Sequence, residues 1–214
     1  IIFSTSFDFA DGTAFNGAGA ARLLGGTATF TGNIAAPNLK LEGATLAGTH
    51  TLAGNIDWSA GSIGTAGTTT LPVGTVLTLS GDADKTFTTR TVSNSGTIIW
   101  GGNGDIIMGN GSTLNNLATG VFEAQAEGGM FVPGGGGSAE FNNAGLLRKT
   151  GATISVMNAA QGPTFANTGT VSAESGALRF DVSFTQTAGA TVLSGGGVLA
   201  GPALEFAGGE LRGS

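Results

Sequence analysis

Acidic side chains are the first residues of this chain to consider for chemistry, because enzymes that cleave sugar polymers act through paired carboxylates. Asp82 and Asp84 lie two residues apart beside Lys85, and Glu123 and Glu127 border a glycine-rich segment. An enzyme of that kind needs its acids grouped on one face, whereas these acids do not recur at the spacing of the repeats described below. We therefore interpret them as solvated turn or edge charges and predict no catalytic residue.

Metal binding and nucleophilic catalysis have equally little support in the residue types. Residues 101–105, Gly-Gly-Asn-Gly-Asp, are similar to half of a calcium-binding nonapeptide, but such sites need tandem copies and this one occurs once. A structural turn is favoured, with a single calcium on Asp82, Asp84 or Asp105 as the alternative. His50 is the only histidine and there is no cysteine, which excludes a zinc site of His and Cys. A catalytic triad would need His50, yet no nucleophile elbow is present. No cofactor is predicted.

Two threonine-rich segments and two tryptophans are candidates for binding surfaces. Residues 68–70 and 86–91 are rich in threonine. Flat ice-binding solenoids carry an outward Thr-x-Thr in every coil, and the phrase does not recur in register in this sequence, so ordinary strand threonines are expected. Trp58 and Trp100 occupy apolar positions of strand-like phrases, which favours a core role. If either ring faced outward, it would offer a stacking platform for sugars.

Composition narrows the class of protein and of partner. The chain has 214 residues, 40 glycines, 13 phenylalanines, 10% charged residues and a net charge of −6. Apolar residues make up 40% and alternate with polar ones, which indicates a folded β protein rather than a disordered one. No basic patch is present, so no nucleic-acid partner is expected. No run of about 18 apolar residues occurs, so no membrane insertion is expected.

A repeated phrase in the sequence indicates the elements that position these residues. It consists of an apolar residue, a spacer, Asn, a spacer and Gly. Its glycines are separated by 24, 25, 24 and 20 residues. A period of this size is typical of a solenoid, in which each repeat buries its apolar face by stacking on its neighbours. The repeated positions are Val92, Asn94 and Gly96; Leu114, Asn116 and Gly120; Phe141, Asn143 and Gly145; Phe165, Asn167 and Gly169; and, in a degenerate copy, Phe184 and Gly189.

Local patterns predict strands throughout the chain. Frequent glycine and β-branched residues disfavour helices, and alternation with a period of two places Leu178, Phe180, Val182 and Phe184 on one face. We predict a single-domain, all-β, right-handed parallel β-helix of eight to ten coils, with roughly 17–25 residues per coil. Residues 1–38 are expected to form irregular coils or a cap, and residues 39–214 the repeats of a longer array. Residues 128–138 are expected to leave the coil as a loop.

Stacking of coils about 4.8 Å apart explains why the phrase has these residues. The apolar positions are expected to form an internal hydrophobic ladder, and the asparagines a ladder of amides that bond to one another at a corner. The glycine that follows is expected to provide a bend that a side chain would not permit.

The repeats resemble those of very large exported bacterial proteins of the filamentous-haemagglutinin or adhesin type. The resemblance covers roughly residues 39–214 and is carried by the segments ADKTFTTRTVSNSGTIIWGGNGDIIMGNGSTLNNLATGVFEAQ, FNNAGLLRKTGATISV and FANTGTVSAESGALRF. It implies a β-helix that serves as a stalk or an adhesive surface, with no catalytic motif to carry over.

We therefore predict a structural or adhesive module of a bacterial surface protein, located at the cell surface or outside the cell. Its expected partners are copies of itself, through end-to-end or tandem stacking, and surface glycans. Two alternatives remain: a polysaccharide-active β-helix enzyme, and a subunit of a self-assembling extracellular filament, since open coil ends expose strand edges.

Overall fold

The computed structural model describes residues 1–158, 162–181 and 183–213. Every regular element in these residues is a β-strand. No helix with the length and apolar character needed to cross a membrane is found among them.

The first nine strands are β1 (Ile2–Phe3), β2 (Phe7–Phe9), β3 (Ala21–Leu23), β4 (Thr27–Phe30), β5 (Gly32–Ala47), β6 (His50–Ile63), β7 (Gly67–Leu71), β8 (Val76–Leu79) and β9 (Lys85–Thr88). The next nine are β10 (Arg90–Asn94), β11 (Thr97–Trp100), β12 (Ile106–Gly109), β13 (Ser112–Asn116), β14 (Val121–Ala124), β15 (Gly128–Phe131), β16 (Ala139–Asn143), β17 (Leu146–Lys149) and β18 (Ile154–Asn158). The last eight are β19 (Thr164–Asn167), β20 (Thr170–Ala173), β21 (Ala177–Phe180), β22 (Phe184–Gln186), β23 (Ala190–Leu193), β24 (Val198–Ala200), β25 (Leu204–Phe206) and β26 (Glu210–Gly213).

Each turn of the chain adds one strand to each of three parallel sheets, here called sheets 1, 2 and 3. Sheet 1 contains β7, β10, β13, β16, β19, β22 and β25. Sheet 2 contains β8, β11, β14, β17, β20, β23 and β26, and sheet 3 contains β9, β12, β15, β18, β21 and β24. The longer strands β5 and β6 run through all three sheets.

Equivalent residues of successive coils pair directly, Val92 with Leu114, Leu114 with Phe141 and Phe141 with Phe165. The steps along sheet 1 are 22, 27, 24 and 19 residues. The result is one stack of about 10 turns, which confirms the all-β, single-domain parallel solenoid. The right-handed sense of the coil stays a prediction.

One coil exceeds the expected length because of a loop, and the loop is shorter than the sequence suggested. The prediction that residues 128–138 leave the coil is wrong for the first part, since β15 pairs with β12 and β18. Met130 in β15 is fully buried and fills the core. Only the glycine-rich segment after it projects outward, tied to the preceding coil by the Gly111 amide, which donates to the Ser138 carbonyl at 2.8 Å.

The first coils lie in register with the rest. Strands β1 and β3 extend sheet 2, and β2 and β4 extend sheet 3. Around the buried ring of Phe30, the rings of Phe9 and Phe15 pack with centroids 5.0 and 6.0 Å away. Phe9 in turn contacts Phe3 at 5.2 Å. An aromatic cluster therefore fills this end of the stack.

Alternation within strands decides which residues form the core. Leu178, Phe180 and Phe184 are fully buried while Arg179 is exposed, as the period of two predicts. They do not belong to one strand, because a corner separates β21 from β22. Val182, which the pattern also places on this face, lies outside the described residues.

Candidate functional site

A ladder of amide side chains runs along the corner between sheets 1 and 2. Asn94 Nδ2 donates to Asn116 Oδ1 at 2.8 Å, and Asn116 Nδ2 donates to Asn143 Oδ1 at 2.7 Å. Asn143 Nδ2 donates to Asn167 Oδ1 at 2.7 Å. Asn167 Nδ2 then donates to Gln186 Oε1 at 3.2 Å. We call these five residues the amide ladder. Each is at most 1% exposed, so their hydrogen bonds are shielded from water.

The amide ladder also holds the backbone at the corner. The same Nδ2 atoms of Asn94, Asn116 and Asn143 donate at 3.0–3.1 Å to carbonyl oxygens at the start of the next sheet 2 strand. Each asparagine thus links two coils and two sheets.

Gln186 extends the amide ladder beyond the four asparagines of the predicted ladder. It pairs in register with Asn167 and carries the same amide group. Its Nε2 donates to the carbonyls of Gly208 and Glu210 at 3.0 and 3.2 Å. The signal was present in the sequence, because Gln186 stands two residues after Phe184, where the other copies have Asn.

An apolar ladder lies inside sheet 1, two residues before the amides. Val92, Leu114, Phe141, Phe165 and Phe184 are each no more than 3% exposed. The Phe141 and Phe165 ring centroids lie 5.2 Å apart, and those of Phe165 and Phe184 lie 5.6 Å apart. The ladder provides a continuous hydrophobic column within the stack.

The ladder glycines are needed for close approach more than for an unusual backbone angle. Gly189 has a positive φ of 70°, but Gly96, Gly120, Gly145 and Gly169 do not. A Cβ on each of these four would instead overlap a carbonyl oxygen of the preceding coil. The chain bends at Gly96, Gly145, Gly169 and Gly189, as expected, and tight stacking at the corner is what excludes a side chain at the first three.

A buried arginine ties three coils together at the corner between sheets 3 and 1. Arg90 is 1% exposed and has no carboxylate partner within the described ranges. Its guanidinium donates to Thr69 Oγ1 at 2.9 Å, to the Gly64 carbonyl at 3.1 Å and to the Gly48 carbonyl. Burial lowers the pKa of Arg90 to about 10. Alternation with Val92 indicates that Arg90 points inward, and this is the signal in the sequence that marks it.

Two lysines are buried in the same way. Lys85 and Lys149 are 1% and 0% exposed, and they donate to the carbonyls of Ala83 and Gln125. Burial lowers the pKa of both. Nearby Asp84 acts in the opposite direction on Lys85. These cations cap corner carbonyls inside the solenoid, which makes them structural groups.

His50 is enclosed between its neighbours. It is 3% exposed, its Nε2 lies 3.2 Å from Thr69 Oγ1, and its Nδ1 has no partner among the residues the structure describes. Burial, followed by the positive charge of Arg90, lowers the pKa of His50 to about 4. The imidazole is therefore neutral at physiological pH and packs against Phe30, with ring centroids 5.5 Å apart.

The acidic turn residues accept hydrogen bonds from the following coil, Asp84 and Asp105 from backbone amides and Asp82 from a side-chain amide. Asp84 Oδ1 accepts from the Asp105 amide at 3.1 Å, and Asp105 Oδ1 accepts from the Gly129 amide at 2.7 Å. Asp82 Oδ1 accepts from Asn103 at 2.9 Å. The described residues include no group of three or more His, Cys, Asp or Glu side chains placed to hold a metal ion.

The interpretation of Glu123 as a solvated charge is wrong, whereas Glu127 is exposed. Glu123 is 9% exposed and accepts hydrogen bonds from Gln125 at 2.7 Å, from Thr150 at 2.9 Å and from Arg148. Burial opposes ionisation of Glu123, but the three hydrogen bonds outweigh it and the net effect lowers its pKa. The neighbouring coil covers this outward side chain, which a single strand cannot reveal.

Both tryptophans belong to the core, which removes the sugar-stacking alternative. Trp58 and Trp100 are 0% exposed. Trp100 Nε1 donates to the Gly104 carbonyl at 3.0 Å, and the Trp58 ring packs edge-on against Phe87 at 5.0 Å.

As expected, Thr-x-Thr is not repeated on the coils that follow residues 68–70 in sheet 1, where Thr70 is followed in register by Ser93 and Asn115, although the first position keeps a threonine. Thr68 pairs with Thr91. Thr86, by contrast, lies on sheet 3. Coil lengths differ, so the recurrence of this threonine is not visible from sequence spacing.

Comparison of the chain with known protein families, curated proteins and solved structures gives no match.

Proposed function

We propose that this chain is a structural module of an exported bacterial surface protein, in which the solenoid serves as a stiff stalk or a rod-shaped adhesive surface. The observation that carries the proposal is the amide ladder, in which Asn94, Asn116, Asn143, Asn167 and Gln186 bond in an unbroken series. Such a series supports a stiff rod, because bending must lengthen buried hydrogen bonds on the outside of the curve.

The dimensions fit a spacer. About 10 turns stack in one direction, and at about 4.8 Å per turn they span roughly 48 Å. The exposed faces carry mostly small polar side chains and few charges, since charged residues make up 10% of the chain. A rod of this kind adds reach in proportion to the number of coils.

Stiffness is tested by stretching the single molecule between its two ends. We expect stepwise extension in which coils detach one after another, with lower forces in an Asn143→Ala variant than in an Asn142→Ala control. Smooth extension at low force, as for a disordered chain, would contradict the rod.

Surface location is tested with an antibody against the solenoid and intact cells of the source organism. Labelling of unpermeabilised cells is expected, with a cytoplasmic protein as the negative control. Labelling that requires permeabilisation would contradict an exported stalk. Adhesion is tested separately on a glycan array, where binding distinguishes an adhesive surface from a passive stalk.

A further inference from the structure

The outer surface of sheet 1 carries two columns of mostly small polar side chains, interrupted by Glu140 in one and by Ala166 in the other. The column nearer the start of the strands consists of Thr68, Thr91, Thr113, Glu140 and Thr164. The other column consists of Asn33, Thr51, Thr70, Ser93, Asn115, Asn142, Ala166 and Thr185. The second column is uncharged over eight coils, a length of about 34 Å at 4.8 Å per step, and Glu205 follows Thr185 in register.

The central part of these columns is a grid of hydroxyl groups, which we call the hydroxyl face. It is formed by Thr68, Thr70, Thr91, Ser93 and Thr113, all half-exposed. Neighbouring hydroxyl-bearing residues lie about 4.8 Å apart along the stack and about 6.6 Å apart along a strand. Threonine is stiff at χ1, so the strand holds each hydroxyl and methyl group in a narrow range of positions.

None of these five hydroxyls bonds to another protein group in the part of the chain that the structure describes. The asparagines that follow differ, because Asn142 Nδ2 donates to Asn115 Oδ1 at 3.1 Å. The free hydroxyls of the hydroxyl face must take their partners from water. A rigid grid of such groups imposes its own spacing on that water.

The outer surfaces of the other two sheets are different in character. Sheet 2 carries charged pairs, such as Lys40 with Asp57 at 3.6 Å, and Arg148 with Glu123. On the outer surface of sheet 3, Thr86 pairs in register with Ile107 of the next coil, and Ile107 pairs with Phe131 of the coil after that. Before Thr86, sheet 3 carries one column of hydroxyl side chains, formed by Thr27, Thr45 and Ser62, in which Thr45 and Ser62 bond to each other at 3.0 Å. Within the described ranges, two adjacent columns of unbonded hydroxyls are found on sheet 1.

We propose that the hydroxyl face binds ice. The ligand that matches an uncharged grid of unpartnered hydroxyls is an ordered array of water molecules, whose oxygens repeat at comparable distances. The β-sheet fixes the hydroxyls before binding, so little conformational entropy is lost on contact with the lattice. The threonine methyl groups add apolar contact between the hydroxyl positions.

A neutral polysaccharide is a weaker match for this face. Sugar rings are held by stacking on exposed aromatic rings, whereas the phenylalanines of sheet 1 at Phe141 and Phe165 point inward and are buried. A charged polymer would find no electrostatic attraction on the hydroxyl face, because the five residues that form it carry no ionisable group. This proposal does not depend on the stalk function.

The test measures how much protein is incorporated into a slowly growing ice surface, together with the shape of single ice crystals. Wild-type protein is expected to enter the ice and to facet the crystals. Thr91→Lys places a long charged side chain in the centre of the grid and is expected to reduce incorporation about tenfold. The matched control is Thr86→Lys, an equally half-exposed strand threonine on sheet 3, which is expected to behave as wild type.

Folding of each variant is checked by circular dichroism and by the urea midpoint, and Ser93→Lys replaces Thr91→Lys if the latter does not fold. The proposal is overturned if wild-type protein is excluded from ice like an inert control protein, or if the sheet 1 and sheet 3 variants lose incorporation equally. Binding to microcrystalline cellulose that Thr91→Lys abolishes, without binding to ice, would assign the face to a polysaccharide and overturn the proposal as well.

Discussion

Replacing Asn143 by alanine removes the central link of the amide ladder. Asn143 accepts a hydrogen bond from Asn116 at 2.7 Å and donates to Asn167 at 2.7 Å and to the Thr170 carbonyl at 3.0 Å. It is 1% exposed, so water does not replace these partners. The substitution keeps the backbone and removes only the amide.

The expected loss follows from those contacts. Three hydrogen bonds at about 1 kcal/mol net each contribute about 3 kcal/mol. Asn167 Oδ1 then loses its donor while buried, and an unsatisfied buried acceptor costs about 1–3 kcal/mol. Part of this second cost overlaps the first, so the free energy of unfolding is expected to fall by about 3–5 kcal/mol.

The matched control is Asn142→Ala, in the same strand and one residue away. Asn142 points outward, is half-exposed and donates to Asn115 at 3.1 Å. Water can replace that bond, so the expected loss is below about 1 kcal/mol.

Urea unfolding followed by circular dichroism compares the two variants with the wild type under one set of conditions. The midpoint for Asn143→Ala is expected well below that for Asn142→Ala, with hydrogen exchange faster in the coils on either side of residue 143. Equal midpoints for the two variants would refute the argument, because they would mean that the buried amides do not hold the coils together.

Two further substitutions test the corner and the buried imidazole. Gly145→Ala is expected to lower the free energy of unfolding by about 2–4 kcal/mol, because the added Cβ overlaps the Gly120 carbonyl. In the control Gly134→Ala the Cβ meets open space, and the free energy of unfolding is expected to change by less than about 0.5 kcal/mol. Equal urea midpoints for the two variants would contradict the close approach at Gly145. The folded-state pKa of His50, about 4, lies below its ordinary value of 6.5, so its contribution to stability is complete above pH 6.5 and declines as the pH falls towards 4. That decline is expected to reach about 3 kcal/mol and to be absent in His50→Gln, and parallel stability–pH profiles for the two proteins would rule it out.

Much of the solenoid was predictable because the sequence has two periods, the two-residue alternation within strands and the return of the same phrase in successive coils. The phrase around Asn94, Asn116, Asn143 and Asn167 gave the stacking, and the structure pairs these residues in register. Leu39 and Ile56, 17 residues apart, begin segments in which apolar residues alternate with polar ones, and they pair in the same way. These predictions succeeded because each phrase must present its apolar residue inward and its glycine at a crowded corner.

The buried charges show where local pattern and residue type conflict. Arg90 and Lys149 occupy inward positions of their strands, which alternation indicates, but the cost of burying a charge argues for the surface. Corner carbonyls decide the conflict, since they offer each cation a partner inside the stack. Those carbonyls come from neighbouring coils, so the sequence around each residue does not contain them.

The sequence by itself determined the strands, the inward and outward faces and the order of the coils, because side chains alternate with a period of two and the phrase returns in every turn. Only the tertiary structure decided which outward residues of different coils become neighbours. Coil steps of 22, 27, 24 and 19 residues mean that equal spacing in the chain is not equal position on the rod. Hydrogen bonds between coils set that register, and they bring Thr68, Thr91 and Thr113 into one column.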